Sequence, residues 1–315
     1  MFAKVETFDS PSGARLAWRF QPAAASEQGV LMISHGLSEH AARYERFAGF
    51  MAERGFHVYA HDHRGHGATR AADAPLGRYA AEGGVKKVLS DVRAMRDLAA
   101  GRHLGLPLIL FGHSMGGLIA LNAAEEDPLL YDGLAVWNSN FNPGSAGRAA
   151  QVILAIEKML KGSDVPSGLL PRLTFGAWGK SVANPKTDFD WLSHDAAEVE
   201  KYVDDPLCGF DASVSLWIDL FDLTFSGARA ERLRRLPRAL PIHLVGGGED
   251  PATNGGREIR WLAKRLQALG FSRVSTRVYP TMRHETLNEI DRDGAMEEFA
   301  NWCLTVARER RQVPA

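Results

Sequence analysis

The chain has 315 residues, of which 45% are hydrophobic, enough to bury a large core as one big domain or two small ones. Lys plus Arg number 37 against 38 for Asp plus Glu, so a formal net charge of −1 offers no long-range attraction to nucleic acid or an acidic membrane surface. The two cysteines, Cys208 and Cys303, lack the spacing of a zinc site or a disulfide framework and read as free thiols in a reducing compartment.

The opening stretch MFAKVETFDS alternates like a strand and lacks the apolar core of a signal peptide. With no apolar run long enough to span a bilayer, a soluble cytoplasmic protein is expected. KVETF and RLAWRF look like an antiparallel pair. After them come VLMIS (Val30 to Ser34), HVYAHD (His57 to Asp62), LILFGHS, GLAVWNS (Gly133 to Ser139), IHLVGG (Ile242 to Gly247) and RVSTRVYP (Arg273 to Pro280). Stretches of helix length separate most of them, so the fold class is α/β: a mostly parallel sheet with helices on both faces. Loops at the carboxyl ends of those strands are where a site is expected.

Between GLAVWNS and IHLVGG lie about a hundred residues, more than one crossover helix needs, which predicts an insertion. Its first helix, QVILAIEKMLKG, places Val152, Ile153, Ile156, Met159 and Leu160 on one face. Leu169, Leu170, Leu173, Phe175 and Trp178 follow amid Pro and Gly. The boundaries expected are a core of residues 1–141 and 211–315 and an inserted lid over 142–210.

GHSMGG (residues 112 to 117) follows one of the buried strands and precedes the helical run GLIALNAAEE. It fits Gly-x-Ser-x-Gly in the strand–turn–helix setting of a nucleophile elbow, with Ser114 as nucleophile. Gly112 and Gly116 are needed because side chains there would collide with neighbouring strand and helix. The helix N-terminus beyond the serine points free N–H groups at it. A serine hydroxyl needs a base, and His284 in VYPTMRHETLNE follows the last strand; His243 lies within a strand and His194 within the insertion. For the orienting acid, LVGGGEDPATN offers two neighbours; Asp250 is preferred because Asp-Pro starts a turn, with Glu249 the alternative. An oxyanion hole needs two amides, from Met115 after the serine and Leu37 in ISHGLSEH.

Taken in order, SHGLSEHAARY, HDHRGHG, GHSMGG, GGGED and HETLNE resemble the monoacylglycerol lipase and lysophospholipase branch of the α/β-hydrolase fold, over about Val30 to Glu289. The resemblance implies an eight-stranded sheet, a helical lid between the sixth and seventh core strands, and the same five site residues. It makes HDHRGHG a turn rather than a metal site, with Gly65 and Gly67 bending the chain and Asp62 and Arg64 holding it. The expected activity is ester hydrolysis through an acyl-enzyme, most consistent with monoacylglycerol or lysophospholipid-type esters, with no metal or cofactor. A small-ester carboxylesterase, a peptidase or amidase, and an acyltransferase stay open on the same triad; a non-catalytic binding module does not fit three filled positions. Ile156 and Trp178 are expected to line an acyl pocket under the lid. Cys208 in DPLCG either lines that pocket or packs as a small buried residue. The lid is also the expected point of transient membrane or micelle contact; nucleic acid is not an expected partner, and the oligomeric state is left open.

Overall fold

In the computed structural model, which describes residues 2–312, nine strands form one mixed sheet. They are β1 (Glu6–Asp9), β2 (Ala14–Gln21), β3 (Gly29–Ser34), β4 (Phe56–His61), β5 (Arg70–Ala71), β6 (Leu108–His113), β7 (Gly133–Trp137), β8 (Ile242–Gly247) and β9 (Val274–Tyr279). The order is β1-β2-β4-β3-β6-β7-β8-β9, with β5 pairing β2 off this path. Pairs β1–β2 and β2–β4 are antiparallel, and every pair from β4 across to β9 is parallel. The ninth strand, absent from the sequence expectation of eight, is the two-residue β5, too short to carry an alternation.

Strands β3, β4, β6, β7 and β8 are buried along their whole length. Their mostly apolar sequences, interrupted by His57, His61 and His243, follow from this, because a parallel sheet covered on both faces has no solvent side. Successive residues still point to opposite faces: Leu108 and Leu110 enter one core, Ile109 and Phe111 the other. The first core is covered by α2 (Gly84–Arg102), α3 (Met115–Glu126), α8 (Val214–Gly227) and α10 (Arg257–Ala268). The second lies under α1 (Glu45–Glu53) and α11 (Arg292–Gln312).

Between β7 and β8 the chain leaves the sheet through α4 (Gly144–Lys161), α5 (Leu170–Leu173), α6 (Phe175–Ser181) and α7 (Ala196–Asp204). It is back in the helical layer at α8, which packs on α2 and α3 and is followed by the short α9 (Ala230–Leu233). The expected inward face of α4 is a correction. Val152, Ile156, Met159 and Leu160 face solvent, Met159 and Leu160 being more than three-quarters exposed at 77% and 76%. The helix buries Gly147, Ala150, Leu154 and Glu157 instead. Small residues on that side let it approach α8, with Gly147 close to Phe225. The Glu157 carboxylate is taken up by the Ser167 hydroxyl (2.5 Å) and the Gly168 amide (2.9 Å). Periodicity finds a face; it does not say which face meets the body.

The HDHRGHG segment after β4 is a tight turn. Asp62 accepts from the amides of Ala41 (2.9 Å) and Ala68 (2.8 Å), and a side chain at Gly67 would overlap the Asp62 carboxylate. Arg64 is fully buried, its Nε 3.2 Å from Asp91 Oδ2 on α2 as an ion pair, while Asp91 Oδ1 accepts from the Ser10 and Ser12 hydroxyls. Removing one partner of such a pair strands the other charge away from water. Asp91→Ala is therefore expected to destabilise the fold by about 3–5 kcal/mol, measured as a lower urea midpoint. A midpoint unchanged from wild type would show that Arg64 finds another partner.

Candidate active site

Five loops converge at the carboxyl edge of the parallel strands. They carry Leu37 after β3, Ser114 after β6, Asn138 after β7, Asp250 after β8 and His284 after β9. Ser114 has φ 55° and ψ −120°, a left-handed strain that a non-glycine residue accepts only under tight constraint. The constraint is visible: its amide donates to Trp137 O (2.8 Å) and its carbonyl accepts from the Ser139 hydroxyl (2.7 Å). Around it a Cβ at Gly112 would overlap the Gly116 carbonyl, and one at Gly116 the Ser34 carbonyl. Both glycines are thus sterically required.

His284 is 3% exposed, and its Nδ1 lies 3.0 Å from Asp250 Oδ1. Asp250 is fully buried and accepts also from Asn138 Nδ2 (3.1 Å), the Thr253 hydroxyl (2.8 Å) and the Ala252 amide (2.9 Å). Burial alone would raise its carboxyl, but the His284 ring and these donors hold it below the ordinary value. Glu249, the sequence alternative, points away: it is half exposed and lies 3.2 Å from His194 Nε2. With Nδ1 occupied, Nε2 is the nitrogen left for the cavity, which His284 and Ser114 both line.

That cavity, of about 180 Å³, is walled by Leu37, Met115 and Leu118 from the core and by Phe175, Trp178, Trp191 and Tyr202 from the insertion. Trp217, Leu220 and Phe221 of α8 complete the apolar wall. Among the described residues neither the Leu37 nor the Met115 amide donates a hydrogen bond, so both are available to a ligand oxygen. Trp191 packs on the His284 ring at 5.0 Å between centroids, and Trp178 lies over it at 6.5 Å. Trp178 lines the cavity; Ile156, expected there, does not, and Cys208 takes the second of its two expected places, as a small buried residue. Ile156 is on the solvent side of α4, and Cys208 is buried with Trp191, Leu192 and Tyr202 behind the cavity wall.

Sequence reasoning missed a second layer. Arg43 donates to both oxygens of Glu285 (2.5 and 2.7 Å) and to Glu39 Oε2 (2.7 Å). Glu39 Oε1 accepts from the Gly36 amide (2.5 Å) and the Tyr44 hydroxyl (2.9 Å). His113, the residue before Ser114, donates from Nε2 to the His284 carbonyl (3.0 Å), with Nδ1 3.5 Å from Glu39. Burial would raise the Glu39 carboxyl, yet Arg43 and His113 hold it well below the usual range; Glu285 is lowered, against the same burial, by Arg43. The His113 ring, which burial would lower, is raised by its contact with Glu39. The only sequence signal was position, since Glu39 and Glu285 sit in the loops of Leu37 and His284.

Strand order, elbow and convergent loops define an α/β-hydrolase. The chain belongs to the family described as serine aminopeptidase, S33, whose model matches residues 25–291. It is 31% identical over 242 residues to the monoglyceride lipase of Homo sapiens, covering 76% of this chain and 70% of that one. It is 25% identical to the monoacylglycerol lipase of Mycolicibacterium smegmatis over 95% of this chain and 96% of that one. In fold it is similar to a thermostable carboxyl esterase from Bacillus coagulans, with a TM-score of 0.86 at 23% identity, covering 96% of this chain and 98% of that one. The chain is a carboxylic ester hydrolase.

Arg43→Met leaves two buried carboxylates facing each other and should destabilise the protein by about 3–5 kcal/mol at neutral pH. In the wild type both carboxyls titrate below their unfolded values, so their contribution is in place above pH ~4.3 and is lost as pH falls further. In the variant burial raises them instead, so stability should fall as pH climbs from about 5 to 8. Urea midpoints at the two pH values read this out, and equal midpoints would mean that the guanidinium compensates neither carboxylate.

Proposed function

We propose that the protein hydrolyses uncharged monoacyl esters of the monoacylglycerol type through an acyl-enzyme on Ser114. The observation that carries this reading is the aromatic cavity in which Ser114 and His284 meet, with no Lys or Arg among its lining residues. An apolar wall suits an acyl chain, and the absence of a cation there favours a neutral alcohol over a phosphate-bearing lysolipid. The family description names an aminopeptidase, which needs a free carboxylate for the substrate's amine. Glu39 and Glu285 are the carboxylates at the cavity, and Arg43 already engages both.

In the proposed cycle His284 Nε2 takes the Ser114 Oγ proton as Oγ bonds to the ester carbonyl carbon. The carbonyl electron pair moves onto oxygen, where the Leu37 and Met115 amides receive it. Collapse of this intermediate breaks the ester C–O bond, and the leaving alcohol takes the proton from Nε2. Water, deprotonated by the same nitrogen, then frees the acid and restores Ser114. Asp250 keeps the proton on Nδ1, and the face of Trp191 stabilises the imidazolium formed at each step. No metal or cofactor enters the cycle.

Residues 142–210 serve as the lid in this reading. Its inner aromatics wall the cavity, while its outer row of Val152, Ile156, Met159 and Leu160, with Leu169 and Leu173 also exposed, is offered to the lipid aggregate that holds the substrate. Among the described residues no helix is long and apolar enough to cross a membrane. The contact is therefore with the surface of the aggregate.

A fluorophosphonate should label Ser114 alone, and Ser114→Ala should lower hydrolysis by on the order of 10⁴-fold or more. Asp250→Asn should cost on the order of 10⁴-fold in kcat, with Glu249→Gln close to wild type; the opposite ranking would move the acid's role to Glu249. On p-nitrophenyl esters kcat/KM should rise about two- to fourfold per added carbon until the cavity fills, at up to ~0.8 kcal/mol per methylene. Trp178→Ser should flatten that rise. Steady decline from acetate upwards would leave a small-ester carboxylesterase. Met159→Asp with Leu160→Asp should slow hydrolysis of emulsified monoacylglycerol while leaving soluble esters unaffected; equal rates on the emulsion would remove the outer row from the mechanism.

A further inference from the structure

Away from the cavity, one group of side chains has the chemistry of a metal site and no part in ester cleavage. His40 follows Glu39 at the far end of the Leu37 loop, Asp205 lies just past α7, and Cys208 lies three residues on. One donor atom from each lies within 4.8 Å of the other two. We propose that His40 Nε2, Asp205 Oδ2 and Cys208 Sγ bind a single borderline-soft divalent cation of the zinc class, with water in the fourth position.

The local backbone presents the donors. Asp205 Oδ1 is used by the Leu207 amide (2.8 Å), which leaves Oδ2 facing His40 Nε2 at 2.8 Å. The Cys208 amide donates to Asp205 O (2.9 Å), a turn that brings the thiol back toward the carboxylate. Two further bonds fix the segments against each other: Gly209 N to Ser38 O (2.9 Å) and the Ser38 hydroxyl to Phe210 O (2.8 Å). Zinc–ligand lengths set tetrahedral edges of roughly 3.3–3.6 Å, so the three atoms need move only by about 1 Å to share one ion.

Charge and donor type agree with this. Burial pushes the free Cys208 thiol well up, so the cation itself has to displace its proton; once it has, Asp205 and the bound thiolate match a dication, and nearby Arg43 is already engaged by Glu39 and Glu285. Sulfur and imidazole select zinc-like ions over magnesium or calcium. A surface groove lined by His40, Arg43, Arg46, Glu198, Lys201 and Asp205 opens two of the three donors to solvent, with Cys208 buried beside them. Binding forms the metal–sulfur bond and releases the thiol proton to water. Occupied, the site would tie the end of the insertion to the loop that carries Leu37.

The test is a titration of the reduced full chain with Co²⁺, whose thiolate complex has a charge-transfer absorption. One equivalent should develop the band, and Zn²⁺ should abolish it. Cys303→Ser should keep the band. Cys208→Ser should lose it and bind Zn²⁺ at least about 10²-fold more weakly, while still hydrolysing soluble esters, which shows that it is folded. His40→Gln should weaken Zn²⁺ binding as well. The proposal is overturned by the absence of a band in the wild type, by its persistence in Cys208→Ser, or by wild-type Zn²⁺ affinity in His40→Gln.

Discussion

One guanidinium holds the site together. Arg43 joins Glu39, in the loop that carries Leu37, to Glu285, beside His284, and the two loops come from strands on opposite sides of β6. Three charges removed from water carry a large desolvation cost, which is offset only when every lone pair and proton finds a partner. Beyond the three bonds from Arg43, the carboxylates are met by the Gly36 amide, the Tyr44 hydroxyl and Asn288 Nδ2, with the His113 ring alongside. The Gly36 bond matters most for chemistry. With that amide spent on Glu39, the next one along, Leu37, is the free donor at the cavity.

Backbone strain concentrates where those loops meet. Five described non-glycine residues have positive φ, and three of them, Ser38, Ser114 and Asn138, stand beyond the ends of β3, β6 and β7. Each such residue costs on the order of 1–3 kcal/mol and persists only where its surroundings over-determine it. Ser38 is held through its hydroxyl to Phe210 O, Ser114 through Trp137 O and Ser139, and Asn138 through Val245 O and the Asp250 carboxylate. Asn138 thus both completes a strained turn and fixes the acid that orients His284. The strain and the site use the same hydrogen bonds.

What the sequence made legible was whatever local sterics dictate. Gly112 and Gly116 announce a close approach of strand and helix around Ser114, and the mostly apolar strands announce a covered parallel sheet, while Asp250 and His284 were read from their places after the late strands and from the Asp-Pro turn. Long-range pairing left no such mark. Glu39 and Arg43 read as polar loop residues, and nothing local says that Glu285, 242 positions beyond Arg43, completes them. The face of α4 was misjudged for a different reason. Ile156 belongs to a true amphipathic stripe, but a helix at the edge of a cap has two surfaces to choose between, and Gly147, Ala150 and Leu154 pack more closely. Cys208 lies one layer behind the cavity, a distinction that no spacing rule resolves.

The insertion itself is joined to the body unevenly. Its second half bonds directly to the loops that carry the site: His284 N to Trp191 O, Glu285 N to Leu192 O, Arg283 to the carbonyls of Asp190 and Ser193, and His194 to Glu289. Displacing Trp191 would therefore disturb His284. The first half, Gly144–Ser181, is tied to the body away from the site, by Ser167 N to Ala212 O, Val214 N to Val165 O, Ser215 N to Ser163 O and Arg78 to Asp164, with α4 packed on α8, and it bears the exposed apolar row. Fixing the loop of His284 and covering the cavity above it are separate tasks. The chain meets them in consecutive segments. Phe175 and Trp178 of the first segment meet Trp191 by ring contact alone, and among the described residues α4, α5 and α6 send no hydrogen bond to His284 or Asp250.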